Sequence, residues 1–204
     1  DLSRSAKTTP AVVRGMTKTG LLKKVSIEKF VSIDQPDHKK LGKILSPAQE
    51  KASSKLVAAI NQNNETNDCI STVTFLDGVT GSGKTEVYFE AIAAALAKHR
   101  QILVLLPEIA LTTQWLMQFT QRFGAMPLEW HSDLTSTQRR DNWRAILAGD
   151  AKVIVGARSA LFLPYPALGL IVVDEEHDSS FKQEEGIFYN ARDMAVVRGR
   201  LGRF

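Results

Sequence analysis

Cysteine is nearly absent from this sequence. The 204 residues contain a single one, Cys69. One thiol excludes an intramolecular disulfide and any zinc site built from several thiolates. Because proteins of oxidising compartments commonly carry paired cysteines, we expect the chain to work in a reducing compartment.

Long apolar runs are missing as well. No stretch approaches the roughly 20 apolar residues that a membrane-spanning helix needs, and the N-terminus lacks the apolar core of a signal peptide. These absences predict a cytoplasmic protein. The chain begins at Asp1 without a methionine and ends at Phe204 within a basic run, so we expect it to be a piece of a longer protein.

The composition is that of a globular protein, and its basic excess is local. Hydrophobic residues make up 44% and charged residues 24% of the chain, which predicts one full core with a small appendage. Residues 1–47 carry ten basic and four acidic side chains, whereas the remainder carries sixteen and eighteen. The N-terminal segment is therefore either a phosphate-binding element or a solvated basic linker.

The N-terminal segment contains one short helix signal. Thr9-Pro10 begins it and Gly20 follows it, as N-cap, first helical residue and terminator, and residues 21–27 form a basic, β-branched run typical of a strand. Helix, glycine and basic strand form the end of many winged-helix domains. The polar residues 36–44, with Gly42, are predicted to be a linker.

From Leu45 onward the pattern alternates between helices and strands. Apolar spacing predicts helices over residues 47–61, 85–98, 112–123 and 135–147, and strands over residues 72–77, 102–106, 128–130, 152–155 and 170–173. Trp115, Phe119 and Trp143 lie at helical spacings, which indicates core or lobe contacts. Strands that alternate with helices of this length predict an α/β fold with a parallel sheet covered on both faces.

A phosphate-binding loop is predicted between the first of these strands and the helix after it. Its residues are Gly78, Val79, Thr80, Gly81, Ser82, Gly83, Lys84 and Thr85, which have P-loop spacing in the strand-to-helix context that gives the motif meaning. The backbone N–H groups would cradle phosphate oxygens at the helix N-terminus. Lys84 would reach the β- and γ-phosphates, and the Thr85 hydroxyl would bind Mg²⁺.

Two consecutive carboxylates follow the last buried strand. Asp174 and Glu175 come directly after residues 170–173, and the carboxyl ends of neighbouring parallel strands share one edge of the sheet. We predict that Asp174 binds Mg²⁺, directly or through water, and that Glu175 orients and polarises the attacking water. His177 is predicted to hydrogen-bond rather than to bind metal.

Gln49 has two interpretations from its local pattern. It lies three residues after Ser46, so the two residues fit a capping box at the start of a helix. It also lies upstream of the P-loop, where a glutamine can read adenine.

Five ordered motifs together are more specific than the P-loop alone. They are residues 78–85, 107–112, 131–134, 156–162 and 174–186. Over residues 45–198 the chain resembles the PriA-type replication-restart helicases, the bacterial primosomal helicases of superfamily 2. The resemblance implies that residues 45–204 form a RecA-like P-loop NTPase lobe, the first helicase lobe, which binds ATP, Mg²⁺ and single-stranded DNA. It also implies that residues 1–35 are a partial winged-helix segment, the tail of such a domain.

The same resemblance implies roles for individual residues. Gln49 matches the adenine-reading glutamine, and residues Pro107 to Thr112, with Arg158 and Ser159, match segments that line the DNA path. Residues 181–189 match an aromatic-rich loop that couples DNA contact to ATP hydrolysis, with Phe181, Lys182, Phe188 and Tyr189 as candidate DNA contacts. The chain departs from that loop where Ile187 replaces a tryptophan and Phe181 a tyrosine.

The resemblance also implies partners and a limit on activity. Full-length family members bind zinc through a cysteine cluster that this chain lacks, act on single-stranded and forked DNA, and work with primosome and single-strand-binding proteins. Their second lobe supplies an arginine for hydrolysis, so this chain alone is expected to be weakly active or inactive. Another superfamily 2 translocase, such as a fork-reversal helicase, a P-loop phosphotransferase and a non-catalytic DNA-binding module stay open as alternatives.

Overall fold

The computed structural model describes residues 2–23, 33–62, 71–79, 81–107 and 113–204. The chain forms two compact units, Asp1–Ser32 and Ile33–Phe204. The predicted alternation of helices and strands belongs to the second unit, which contains both predicted motifs of the nucleotide site.

The first unit contains two short helices, α1 (Leu2–Ser5) and α2 (Pro10–Lys18). Thr9 is the N-cap of α2 and Pro10 its first residue, as predicted. None of the residues of α2 is buried. The predicted strand over residues 21–27 lies largely outside the described residues, and residues 21–23 have no regular secondary structure.

Five α-helices and four strands of one sheet build the second unit from its described residues. The helices are α3 (Pro47–Gln62), α4 (Lys84–Ala97), α5 (Thr113–Phe123), α6 (Ser136–Ala148) and α7 (Ala191–Gly202). The strands are β1 (Gln101–Leu105), β2 (Leu128–Trp130), β3 (Val153–Gly156) and β4 (Leu168–Val173). All pairings are parallel, in the order β2-β3-β1-β4. This confirms the predicted α/β fold.

Alternation along β1 divides the core into two clusters. Ile102 and Val104 belong to one cluster with Phe89, Phe119 and other residues of α4 and α5. Leu103 and Leu105 belong to the other, with residues of α6 and α7. Because successive side chains of a strand point to opposite faces, helices cover both faces of this sheet.

Residues 71–79 differ from the prediction of a strand over residues 72–77. They are described without regular secondary structure, and Val73 and Phe75 are 62% and 73% exposed. A strand requires a hydrogen-bonded neighbour, and none of the described residues pairs with this segment. The segment and β4 line the same cavity, whose volume is about 770 Å³.

The predicted linker, residues 36–44, belongs to the second unit and contacts α4 and α5. The Asp37 N–H donates to the Phe123 carbonyl oxygen at 2.8 Å, and Arg122 donates to the Lys40 carbonyl oxygen. Lys43 pairs with Glu86 of α4 at 2.5 Å. These contacts fasten the segment to α4 and α5 just before α3 begins.

After β4 the chain forms the turn that contains the acidic motif and a small hairpin. A short 3₁₀ helix, Ser179–Phe181, precedes β5 (Lys182–Gln183), which pairs antiparallel with β6 (Tyr189–Asn190). A second 3₁₀ helix, Arg158–Phe162, follows β3. These loops follow the carboxyl ends of the strands, where parallel sheets commonly bind ligands.

Candidate functional site

The phosphate-binding loop leads directly into α4. Gly81 and Gly83 have φ angles of 79° and 80°, the left-handed conformation that glycine adopts at little cost. The Ser82 N–H donates to the Val79 carbonyl oxygen at 3.1 Å, and the Lys84 ammonium donates to the Gly78 carbonyl oxygen at 2.8 Å. The lysine therefore lies folded over the loop. Thr80 lies outside the described residues.

Gln49 combines the two interpretations that its sequence context allows. The Ser46 N–H donates to Gln49 Oε1 at 2.8 Å, and the Gln49 N–H donates to Ser46 Oγ at 3.4 Å, as in a capping box. Gln49 Nε2 also donates to the Ser82 carbonyl oxygen at 2.8 Å. A Cβ at Gly83 would overlap this Gln49 amide. The capping box thus holds Gln49 against the P-loop.

A hydrogen bond connects the P-loop helix to the acidic motif. Tyr88, one turn after Lys84 on α4, donates from its hydroxyl to Asp174 Oδ2 at 2.9 Å. The Asp174 N–H pairs with the Leu105 carbonyl oxygen at 3.1 Å, so Asp174 continues β4 beside β1. The two predicted motifs therefore meet at one edge of the sheet.

The acidic turn is tightly shaped. Glu175 has a φ angle of 50°, which is uncommon for a non-glycine residue. Its N–H donates to Asp174 Oδ1 at 3.0 Å, and its carbonyl oxygen accepts from the Asp178 N–H at 2.8 Å. Its own carboxylate is exposed and lies 3.6 Å from His177 Nε2. A carboxylate in this position is accessible to a water molecule or a ligand.

Arg192 links the acidic turn to α7. Its guanidinium donates to Glu176 at 2.8 Å and to Asp193 at 2.9 Å. These two carboxylates raise the pKa of Arg192, with the Glu176 hydrogen bond as the larger cause. The Glu176 carboxylate thus forms an ion pair with Arg192 of α7, whereas none of the contacts described for the Glu175 carboxylate involves α7.

The residues present fit a magnesium nucleotide. The Thr85 hydroxyl and the Asp174 carboxylate are oxygen ligands, which Mg²⁺ prefers, and the substrate phosphates usually complete its coordination. Among the described residues, no three His, Cys, Asp or Glu side chains form a metal-binding cluster. Gly78, Lys84, Asp174 and Glu175 all line the 770 Å³ cavity.

The predicted DNA contacts near β1 and β3 have different environments. Pro107 is buried at the end of β1, so its side chain is not a surface for DNA. Thr112 lies outside the described residues. Ser159 is exposed. Arg158 donates to the carbonyl oxygens of Ser180, at 3.2 Å, and Lys182, which ties the 3₁₀ helix after β3 to the loop after the acidic motif.

The aromatic residues of that loop also differ from one another. Phe181 is 1% exposed and packs in the core cluster beside α6 and α7, so its predicted stacking on DNA is wrong. Phe188 is 77% exposed. Tyr189 is partly buried and contacts Phe162 edge to face at 5.3 Å. Lys182 is exposed next to them. Phe188 and Tyr189 are therefore the candidate stacking residues.

Two residues of the site, Tyr88 and its hydrogen-bonding partner Trp115, are not predicted from the sequence. Trp115 Nε1 donates to the Tyr88 hydroxyl oxygen at 2.7 Å. Both side chains are buried, at 5% and 6% exposure. The apolar spacing of these residues correctly predicts that they are buried, but it does not indicate that the Tyr88 hydroxyl forms hydrogen bonds. The available signal was the position of Tyr88 one helical turn after Lys84, on the helix that follows the P-loop.

Comparison with known proteins identifies the family. A family profile described as "DEAD/DEAH box helicase" matches residues 46–199. The chain belongs to the DEAD/DEAH box helicase family. This family membership and the α/β fold confirm the predicted helicase lobe, though not the winged-helix segment.

Individual relatives agree with the predicted resemblance. The chain is 49% identical over 159 residues to a protein of Rickettsia felis named "Replication restart protein PriA", covering 78% of this chain and 23% of that protein. It is 39% identical over 199 residues to the Bacillus subtilis protein of the same name, covering 97% of this chain and 24% of that protein. The chain thus spans about a quarter of the length of these relatives. The predicted resemblance to PriA-type helicases is confirmed.

Among the described residues, none of the helices combines the length and apolar character required to cross a bilayer.

Proposed function

We propose that this chain is the ATP-binding motor lobe of an ATP-dependent DNA helicase that acts in replication restart and primosome assembly. The observation that carries the proposal is the hydrogen bond between Tyr88 and Asp174, which brings the acidic motif to the P-loop helix. Helicase family membership and relatives named for replication restart support the same activity.

The nucleotide would lie on the P-loop, with its phosphates at the N-terminus of α4. Lys84 would exchange its bond to the Gly78 carbonyl oxygen for the β- and γ-phosphates, and Gln49 would contact adenine from its position beside Ser82. Thr85 and Asp174 would hold Mg²⁺, which neutralises phosphate charge when bound. Thr80, Gly81 and Ser82 would contribute to the phosphate cradle.

Glu175 is the proposed residue for water activation. Its carboxylate is exposed beside Asp174, and the left-handed backbone at Glu175 turns the chain directly after β4. A carboxylate that accepts a proton from water can act as a general base. Glu176 is less suited to this role because Arg192 neutralises it.

The DNA path would run over the loops at the carboxyl edge of the sheet. Phe188 would supply a stacking surface beside Tyr189, with Lys182 as a phosphate contact. Ser159 would contact the backbone, while Arg158 would hold the loop through its carbonyl contacts. Pro107 would fix the start of the segment that leads to Thr112.

The proposal extends to the whole protein that contains this chain. It would act on single-stranded and forked DNA with primosome and single-strand-binding proteins, in the cytoplasm. Residues 1–35 would be part of a winged-helix domain and residues 36–44 the connection to the lobe, Ile33 being the first residue of the second compact unit. Without an arginine from a second lobe, this chain alone would hydrolyse ATP poorly.

Nucleotide titration tests the P-loop assignment. Lys84→Ala should abolish binding of a fluorescent ATP analogue while leaving the melting temperature nearly unchanged, because it removes the phosphate-facing charge without opening a core cavity. Lys55→Ala, at an exposed position on α3, is the matched control and should bind as the wild type does. Unchanged affinity in Lys84→Ala would refute the assignment.

A further inference from the structure

The Tyr88 hydroxyl is the centre of a one-way chain of hydrogen bonds. An indole N–H can only donate, so the hydroxyl oxygen must accept from Trp115 at 2.7 Å. The single proton of the hydroxyl is then free for Asp174 Oδ2, at 2.9 Å. The direction of both bonds is therefore fixed: Trp115 donates to Tyr88, and Tyr88 donates to Asp174. The Thr85 side chain is a third hydrogen-bonding partner of this hydroxyl.

The chain of bonds fixes the orientation of the Asp174 carboxylate. Oδ2 accepts from Tyr88, and Oδ1 accepts from the Glu175 N–H at 3.0 Å. With each oxygen held by one donor, the carboxylate plane is set, and further lone pairs stay available to a cation or water. Ligating carboxylates are commonly oriented by such outer partners, which affect metal affinity strongly.

Core packing alone does not require this hydroxyl. Tyr88 and Trp115 each contact Phe89 edge to face, at 5.5 and 5.8 Å, and a phenylalanine at position 88 would keep such ring contacts. A buried hydroxyl costs free energy unless it is hydrogen-bonded. The hydrogen bonds to Trp115 and Asp174 meet that requirement here.

The position of Trp115 extends the connection to a second site. Trp115 lies in the first turn of α5 (Thr113–Phe123), directly after the segment that we propose leads along the DNA path. It also stacks on Phe119, with ring centroids 5.4 Å apart, so the indole is held rigidly to its helix. A displacement of the start of α5 would therefore move the donor that holds Tyr88.

We propose that Tyr88 is a positioning residue for Asp174, and that Trp115 makes its position sensitive to the helix that follows the DNA-contacting segment. The inference rests on the proposed function, because it takes Asp174 as a Mg²⁺ ligand. Tyr88 lines the same cavity as Asp174, and its proposed role depends on the hydrogen bond between them. It acts by holding the carboxylate in the orientation that Mg²⁺ requires.

The test compares nucleotide affinity with and without Mg²⁺ in the full-length protein. Tyr88→Phe should lower the affinity for a fluorescent ADP analogue about tenfold in the presence of Mg²⁺ and leave it unchanged in EDTA. Tyr165→Phe is the matched control, since its hydroxyl also donates to a protein oxygen, the Ala160 carbonyl at 2.9 Å, but not to Asp174. That control should leave both affinities unchanged.

Coupling to DNA has a separate readout. Trp115→Phe removes the indole donor and should reduce the ratio of DNA-stimulated to basal ATPase. The double variant with Tyr88→Phe should show no further reduction, because both changes break one chain of bonds. If the two single reductions in the ratio of DNA-stimulated to basal ATPase add up in the double variant, the proposed chain of hydrogen bonds is contradicted.

Two further results would overturn the inference. If Tyr88→Phe lowers the melting temperature but leaves the Mg²⁺-dependent affinity unchanged, Tyr88 serves packing alone and the proposed function still stands. If the wild type itself shows no difference in nucleotide affinity between Mg²⁺ and EDTA and no ATPase, the proposed function fails and the inference with it.

Discussion

Phe181 and Phe188 belong to the same short loop yet lie in opposite environments. Phe181 is 1% exposed within the core, whereas Phe188 is 77% exposed. In the sequence the two phenylalanines look equivalent, because both are aromatic residues that follow the acidic motif. Phe181 is buried in a core cluster that includes Leu161 and residues of α6 and α7, and no local sequence pattern indicates this. This is why one of the predicted stacking residues was wrong.

These two phenylalanines provide a matched pair for mutation. In the full-length protein, Phe188→Ala should reduce DNA-stimulated ATPase far more than basal ATPase and weaken single-strand binding by about 1–3 kcal/mol, because it removes a stacking surface. Phe181→Ala should lower the free energy of unfolding by about 3–5 kcal/mol, because it opens a core cavity.

Thermal melts and both ATPase rates, measured on the two variants side by side, check this expectation. A Phe188→Ala protein with a fallen melting temperature and an unchanged stimulation ratio would show that this ring packs rather than stacks.

Gln49 shows that two local interpretations need not compete. The capping box could be predicted from Ser46 and Gln49 alone, since the motif is local. The contact with Ser82 could not be derived from spacing, because it joins residues 33 positions apart. The resemblance to a helicase family suggested a nucleotide role for Gln49, and the contact places it beside the loop.

At the scale of elements, the helices were the most predictable features. The helix predicted over residues 85–98 is Lys84–Ala97, because its apolar face repeats at helical spacing. The helix predicted over residues 135–147 is Ser136–Ala148, with Thr135 and Gln138 completing a capping box and Gly149 as the C-cap. Local side-chain chemistry determines such ends. Trp143, predicted to make core or lobe contacts, is 42% exposed, so helical spacing alone does not ensure burial.

Strands were less predictable because pairing is not local. The run over residues 72–77 has β-forming residues, but none of the described residues pairs with it. In contrast, β1 pairs on both sides, with β3 and with β4. The propensity of a segment indicates that it can be a strand, while its neighbours decide whether it is one.

Gln101, at the start of β1, connects several elements, and its sequence context does not predict this role. The side chain is fully buried; Nε2 donates to the carbonyl oxygens of Ile146 and Ala151, at 3.0 and 2.9 Å, and Oε1 accepts from the Ala167 N–H at 3.1 Å. One amide thus joins the end of α6, the start of β3 and the start of β4. Leucine has similar size but would remove all three hydrogen bonds, and among these backbone groups the Ile146 carbonyl oxygen would keep its bond from the Gly149 N–H, at 3.0 Å.

Gln101→Leu should therefore lower the free energy of unfolding by at least about 2 kcal/mol and the melting temperature by roughly 5 °C or more. Gln121→Leu, at an exposed position on α5, is the control and should change stability by less than about 0.5 kcal/mol. Chemical denaturation of the two variants measures the difference. Equal stabilities would contradict a structural role for the buried amide.

At the scale of the whole molecule, the P-loop and the acidic motif are joined although 90 residues separate Lys84 from Asp174 in the sequence. Parallel topology brings the ends of β1 and β4 to one edge of the sheet, and Tyr88 bonds that edge to α4. Fold class and both motifs could be predicted from the sequence for this reason. The connecting residues Tyr88 and Trp115 could not, since their partners are distant in the chain.

The central proposal is that this edge of the sheet is a site of ATP hydrolysis. In the full-length protein, Glu175→Gln keeps the shape of the side chain but removes the carboxylate that would accept a proton from water. Asp150→Asn makes the same carboxylate-to-amide change at an exposed position after α6, outside the proposed site; it is the matched control and should leave both binding and turnover unchanged.

The most direct measurement is therefore ATP affinity and DNA-stimulated ATPase turnover on the Glu175→Gln protein. The ATP affinity of this variant should stay within about twofold of the wild type, since Glu175 is not a phosphate contact. Its DNA-stimulated turnover should fall about 100-fold or more. Turnover at the wild-type rate would contradict the assignment of Glu175 and the hydrolytic site built around it.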